Sequence, residues 1–188
     1  MSNVIIIPDV HGSLKWKKAK ELLKEKPDSY VVGLGDWVDD WTNNWPQQGE
    51  NLEEALEWFS EDTEHRIFLL GNHDWSYISN TDDGNVSGHQ ILYADKIKAI
   101  FEKYKSIWNI CCEIDGWVFS HAGISKNWRD TVFGEKLFYL LDSDDKGDMP
   151  MDKFVKTLTP KAINEFFRDT EFKLLNDILD WHGLFDAT

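Results

Sequence analysis

The chain has 188 residues, 41% of them hydrophobic and 14% aromatic, with ten tryptophans; this balance excludes low-complexity and disordered classes and suffices for one compact core. A formal net charge of −14 disfavours nucleic-acid backbones as partners, and no apolar run approaches a membrane span or the core of a signal peptide. The only cysteines, Cys111 and Cys112, are neighbours that point to opposite faces of an extended chain, so they are unsuited to pair and a reducing cytoplasm is the compartment expected.

Val4-Ile5-Ile6-Ile7 is a β-branched run without alternation, as in a strand buried on both faces, and it stops at Pro8-Asp9-Val10-His11-Gly12. Ser13 is placed to cap a helix over residues 14–26, which Pro27 ends. Tyr30-Val31-Val32-Gly33-Leu34 predicts a second strand, closing at Gly35-Asp36-Trp37-Val38-Asp39. Leu52, Ala55, Leu56 and Phe59 have helical spacing within 51–64. Ile67-Phe68-Leu69-Leu70 predicts a third strand, running straight into Gly71-Asn72-His73-Asp74. A helix over about 90–105 follows, and then Asp115-Gly116 marks a hairpin between two apolar runs, the second ending at His121. The remainder reads as mostly helical, with no repeat or linker that would divide a single domain over 1–188.

Strand, helix, strand, helix, strand favours a parallel sheet with crossover helices. In such sheets ligands bind outside the carboxyl ends of the strands. Asp9/His11, Asp36/Asp39, Asn72/His73/Asp74 and His121 all follow apolar runs, so one sheet edge would collect them. Carboxylate, imidazole and amide oxygen together suit a divalent metal without any thiolate.

In Asp9-Val10-His11-Gly12, Gly35-Asp36-Trp37-Val38-Asp39, Gly71-Asn72-His73-Asp74 and Phe119-Ser120-His121-Ala122-Gly123-Ile124, the chain resembles the calcineurin-like metallophosphoesterase superfamily, over Asp9 to about Ser125. The first and last motifs are similar to the bacterial and phage branch, which includes serine/threonine-type phosphatases and dinucleoside-tetraphosphatases. The resemblance implies an α/β fold, a layered αββα sandwich with mixed sheets and the site at the strand carboxyl ends. It implies two divalent metal ions, manganese first, iron or zinc otherwise. Asp9 and His11 would hold one metal, Asp36 would bridge, and Asn72 and His121 would hold the other. His73 would be the general acid, Asp39 its orienting carboxylate, and Asp74 a support behind them. The substrate expected is a phosphoprotein or a nucleotide; oligomeric state is left open.

Two departures accompany the resemblance. Asp40-Trp41 stands where the phosphatase pattern continues with a phosphate-gripping Arg; Arg129 is one candidate substitute. No Gly-His motif follows His121, only His182 in Asp180-Trp181-His182-Gly183, so a shortened member with a weakly held second metal, or a non-catalytic metal-binding member, is the alternative. His182 itself reads as a histidine at a helix end. Trp37, Trp41 and Trp45 recur every four residues and could wall a pocket for a base or peptide, or pack on the core. Asp142 to Asp148 resembles the start of a calcium loop, but Lys146 and Lys153 oppose that, leaving a solvated acidic turn.

Overall fold

The computed structural model describes residues 1–41, 45–79, 86–123 and 158–169, with backbone only at 166, 167 and 169. Arg129, the acidic loop near Asp142 to Asp148, Lys153 and His182 lie outside the described residues. Four strands, β1 (Val4–Ile7), β2 (Tyr30–Gly33), β3 (Arg66–Leu69) and β4 (Trp108–Asn109), pair in that order and entirely in parallel. Ile7 lies opposite Gly33, and Gly33 opposite Phe68. This register ends three strands level with one another, so the polar segments that follow them emerge side by side.

The crossovers are α1 (Lys18–Glu25), α2 (Gln47–Ser60), and the pair α3 (Asn72–Ile78) and α4 (Ala94–Lys103). The helix expected over 14–26 divides into a 3-10 turn, Leu14–Lys17, and α1; Ser13 caps the turn by accepting the Lys15 N–H at 3.2 Å. α2 begins before its apolar stripe. Its first turn, Gln47-Gln48-Gly49-Glu50, carries no hydrophobic signal, and it is held instead by close packing, since a Cβ on Gly49 would lie 2.2 Å from the Trp45 ring. The segment after β3, for which the sequence pattern gives no helical period, is the helix α3.

One face of the parallel sheet sends Ile7, Val31 and Phe68 into a core with Ala19, Leu52, Leu56, Phe59, Ile97 and Phe101 of the crossover helices. Trp37 stacks on Phe68 at 4.6 Å and meets Phe59 edge-on, while its Nε1–H donates to the Leu69 carbonyl at 3.1 Å. Burying a ring such as Phe59 contributes about 1.5–3 kcal/mol. The other face, with Val32 and Leu69, packs on Cys112 and Ile114 of the antiparallel hairpin β5 (Cys111–Ile114) and β6 (Trp117–Ser120). Asp115 and Gly116 turn this hairpin with φ of 51° and 82°, the conformation a two-residue turn requires. A last described helix, α5 (Pro160–Asp169), is clamped beside it: the Ile110 N–H donates to Asn164 Oδ1 at 2.9 Å and Asn164 Nδ2 to the Cys111 carbonyl at 2.6 Å. Helices, parallel sheet and antiparallel hairpin thus form successive layers, consistent with the α/β fold expected; among the described residues parallel and antiparallel pairing fall in separate sheets rather than in mixed ones.

Candidate metal centre

Two backbone segments at the carboxyl edge of the sheet are bound to each other before any side chain is considered, and a buried side chain ties in the third. The N–H groups of Val10 and His11 donate to the Asp36 carbonyl at 3.0 and 2.7 Å, and Gly12 N–H donates to the Trp37 carbonyl at 3.0 Å. Asp74, fully buried, accepts Trp37 N–H at 2.7 Å and Gly71 N–H at 2.9 Å, which couples the segment after β2 to the start of α3. Burial, then the nearby charge of Asp36, pushes its carboxyl well above the ordinary range, against the pull of these two donors. Gly71 passes so close to Asp36 that a Cβ there would lie 2.2 Å from Asp36 Oδ1. His11, Asp36 and Asp39 all have left-handed φ, of 43°, 52° and 67°. Asp and His tolerate that region better than most residues, yet each such position costs of order 1 kcal/mol, which the surrounding hydrogen bonds must offset.

Asp36 is the hub. Its Oδ1 accepts the backbone N–H of His73 at 3.0 Å. Its Oδ2 faces three imidazoles, with Nε2 of His121 at 3.6 Å, of His11 at 3.7 Å and of His73 at 4.0 Å. In each ring the other nitrogen meets an oxygen acceptor: His11 Nδ1 meets the Val38 carbonyl at 3.2 Å, His121 Nδ1 the Leu34 carbonyl at 2.9 Å, and His73 Nδ1 the Asp39 carboxylate at 2.8 Å. A carbonyl or carboxylate can only accept, so each Nδ1 carries a hydrogen and each Nε2 is turned to the common centre. This is the outer hydrogen bonding that orients imidazoles for metal binding.

Asn72 Oδ1 approaches His121 Nε2 at 3.0 Å, adding an amide oxygen to the same centre. Asp9 stands at the rim, its side chain more than half exposed and its Oδ1 3.8 Å from His121 Nδ1. Ligand atoms of His11, Asp36 and His73 lie within 4.8 Å of one another, a spacing that could hold a metal ion. The geometry therefore sets His73, expected to donate a proton, as much within reach of a cation as the expected ligand His11. The donor atoms are oxygens and imidazole nitrogens, a set that fits Mn²⁺, Fe or Zn²⁺. Both cysteines are buried in the hairpin instead.

Behind His73 lies a support that sequence reasoning missed. Tyr77 O–H donates to Asp39 Oδ1, and Gln90 N–H donates to the Tyr77 oxygen at 2.6 Å. His89 stacks on Tyr77 at 4.1 Å and meets Ser76 Oγ through Nδ1 at 3.1 Å. Tyr77 stands four residues after His73, on the same face of α3, so recognising that helix would have revealed it. Burial lowers the affinity of His73 for a proton; the hydrogen bond to Asp39 and the charges of Asp36, Asp39 and Asp9 outweigh it, and the net pKa is raised.

The three periodic tryptophans separate. Trp37 is core, Trp45 stacks on Tyr93, and Trp41 is 63% exposed with its ring 4.9 Å from that of His11. Asp40, which stands where the phosphatase pattern carries a phosphate-gripping Arg, is held through its backbone by Gln48, whose Oε1 accepts the Asp40 N–H at 3.1 Å and whose Nε2 donates to the Asp40 carbonyl at 3.2 Å.

Among the described residues no helix is long and apolar enough to cross a membrane. Comparison with curated proteins and with solved structures returned no match. The family model described as calcineurin-like phosphoesterase matches residues 2–186. With nearly the whole chain matched and a carboxylate hub ringed by oriented imidazoles at the strand ends, the chain belongs to the calcineurin-like phosphoesterase family, hydrolases that act on phosphoesters with divalent metals.

Proposed function

We propose that the chain is a single-domain, dimetal phosphoesterase of the serine/threonine phosphatase-like branch, with Asp9, His11 and Asp36 holding one metal and Asp36, Asn72 and His121 the other. Manganese is the metal proposed, and the cytoplasm the compartment. The single observation that supports this most is the convergence of His11, His73 and His121, each through Nε2, on Asp36 Oδ2. When bound, the metals would supply Lewis-acid polarisation of the phosphoryl group and acidify an attacking water.

The chain's own residues do the rest. Asp36 keeps Oδ2 available because Oδ1 is fixed by the His73 N–H. Asp39, held by Tyr77, anchors His73 Nδ1–H and favours its protonated form, leaving a proton on Nε2 for the departing oxygen. Asp74 holds the Asp36 and Asn72 segments together through Trp37 and Gly71. A dinucleoside-polyphosphate hydrolase is the second reading, and exposed Trp41 beside His11 is the observation that favours it.

The test is hydrolysis of an aryl phosphate with Mn²⁺, against Asp36→Asn as control. Turnover above that control supports the reading, and its absence would indicate a non-catalytic metal-binding member. Turnover unchanged by His73→Asn would remove His73 from the proton-donor role.

A further inference from the structure

An indole with 63% of its surface exposed is unusual, and Trp41 is not a loosely attached one. Its ring lies 4.9 Å from the His11 ring, and the His11 ring lies 4.8 Å from that of His73. Its Nε1–H donates to Ser87 Oγ at 3.2 Å. Gly88, at φ +87°, brings this second segment in so tightly that a Cβ there would lie 3.2 Å from Trp41 Nε1 and 3.3 Å from Asp39 Cβ. The ring is thus fixed at one edge by a hydrogen bond and set against the site by an imidazole, with much of its surface open to solvent.

Charge points the same way. Among the described residues, every ion-pair partner of Asp9, Asp36 and Asp39 is a histidine. The position next to Trp41 holds Asp40. The described part of the rim offers little electrostatic grip to a substrate's remote part, whereas stacking on an indole needs no cation.

We propose that Trp41 is a platform on which a planar ring of the leaving group stacks, so that the site prefers 5′-nucleotides to alkyl phosphates. This rests on the phosphoester-hydrolase reading above and, of its two expected substrates, takes the nucleotide over the phosphoprotein. In both substrates a water oxygen bonds to phosphorus, the bond from phosphorus to an alkoxide oxygen breaks, and that oxygen takes up a proton. The two differ in the base, not in the bond broken.

The test compares kcat/KM for adenosine 5′-monophosphate and β-glycerophosphate in wild type, Trp41→Ala and Trp41→Phe, with Mn²⁺. Stacking on one aromatic side chain predicts that the nucleotide-to-glycerophosphate ratio falls about tenfold in Trp41→Ala and is partly restored in Trp41→Phe. A ratio unchanged by Trp41→Ala, whether both substrates lose activity alike or neither does, overturns the proposal, because an indole that only supports His11 would affect them equally. Saturation-transfer NMR on the H2 and H8 protons of adenosine 5′-monophosphate reads the contact without turnover. Wild-type signals lost in Trp41→Ala support the platform even if neither substrate is hydrolysed, a result that would count against the hydrolase reading alone. Signals that persist in Trp41→Ala, or are absent from wild type, overturn it.

Discussion

Asp36 meets His73 twice: Oδ1 accepts the backbone N–H of His73 at 3.0 Å, while Oδ2 faces the Nε2 of the same residue at 4.0 Å. One carboxylate therefore both fastens the start of α3 and presents the oxygen around which three imidazoles gather. Asp36→Asn separates these tasks. An amide oxygen still accepts the His73 N–H, but the amide NH₂ replaces the oxygen that faces the rings. We expect the melting temperature to change little and Mn²⁺ affinity, measured by calorimetry, to fall by more than the roughly 10- to 100-fold typical of groups behind a metal's ligands. Unchanged Mn²⁺ affinity would remove Asp36 from the metal site.

Tyr77→Phe tests the support behind the proposed proton donor, His73. It leaves the Gln90 N–H without its acceptor and removes the O–H that holds Asp39. Stability should drop by about 1–3 kcal/mol in denaturant titration. If Asp39 orients His73 as proposed, rather than binding substrate, kcat should fall about tenfold while KM holds, within the range credited to proton-transfer catalysis. A stability loss with kcat intact would make the Tyr77 bond structural only.

How far the fold was readable follows from where its stabilisation comes from. β2 announces itself because Tyr30 to Gly33 is apolar throughout, as a strand covered on both faces must be; β1 is equally apolar, yet among the described residues it is the sheet's edge strand and Ile6 stays 51% exposed, so its sequence overstated its burial. The polar residues of the site stood out against those runs. α3 gave no such signal. Asn72-His73-Asp74-Trp75-Ser76-Tyr77-Ile78 has no clean apolar period, and the helix is secured by Asp74, whose carboxylate accepts the Gly71 N–H. An acid three residues after a helix start is a readable sign, but here it sits inside a run of polar residues that reads equally well as a loop. Trp37, Trp41 and Trp45 show the converse. Identical residues at even spacing went to core, rim and stack because irregular backbone with left-handed φ at Asp36 and Asp39 lies before and between them, and no periodicity encodes that.

Gly71→Ala should disable the site through backbone geometry alone. The added methyl would sit 2.2 Å from Asp36 Oδ1 and cannot be accommodated without moving the hub. Gly116→Ala is the control, with nothing within 4 Å among the described residues, so it carries the cost of a left-handed φ of 82°, about 1–2 kcal/mol. Thermal melts and Mn²⁺ titration of both variants should show metal binding lost in the first and retained in the second. Equal metal affinity in the two would show that the contact between Gly71 and Asp36 is not a constraint on the site.

Metal stoichiometry distinguishes a complete from an incomplete second site. Among the described residues, the proposed second metal draws on Asp36, Asn72 and His121, with a neutral amide where the first has the carboxylate of Asp9. We expect calorimetry with Mn²⁺ to resolve one tight and one labile ion per chain. Two equally tight ions would mean that a further ligand, such as His182, completes the second site.

The cysteines predict a specific alkaline weakness. Burial, joined at Cys111 by the charge of its neighbour, pushes both thiols up to about 12. In the unfolded chain they titrate near 8.5, so above that pH the unfolded state releases protons that the folded state retains. The folded state then binds more protons, and stability falls as pH rises from about 9 towards 12 rather than increasing. Each thiol contributes a slope approaching 1.4 kcal/mol per pH unit in that window, and nothing below it. Denaturant midpoints at pH 8 and pH 10.5 measure the loss, and Cys111→Ala/Cys112→Ala should flatten it, separating the thiols from tyrosine and lysine titration. The same burial, at a face packed on Val32 and Leu69, should keep native Cys112 unreactive to thiol reagents at pH 8, with labelling appearing only on unfolding. Rapid labelling of the native chain would contradict both the burial and the raised pKa.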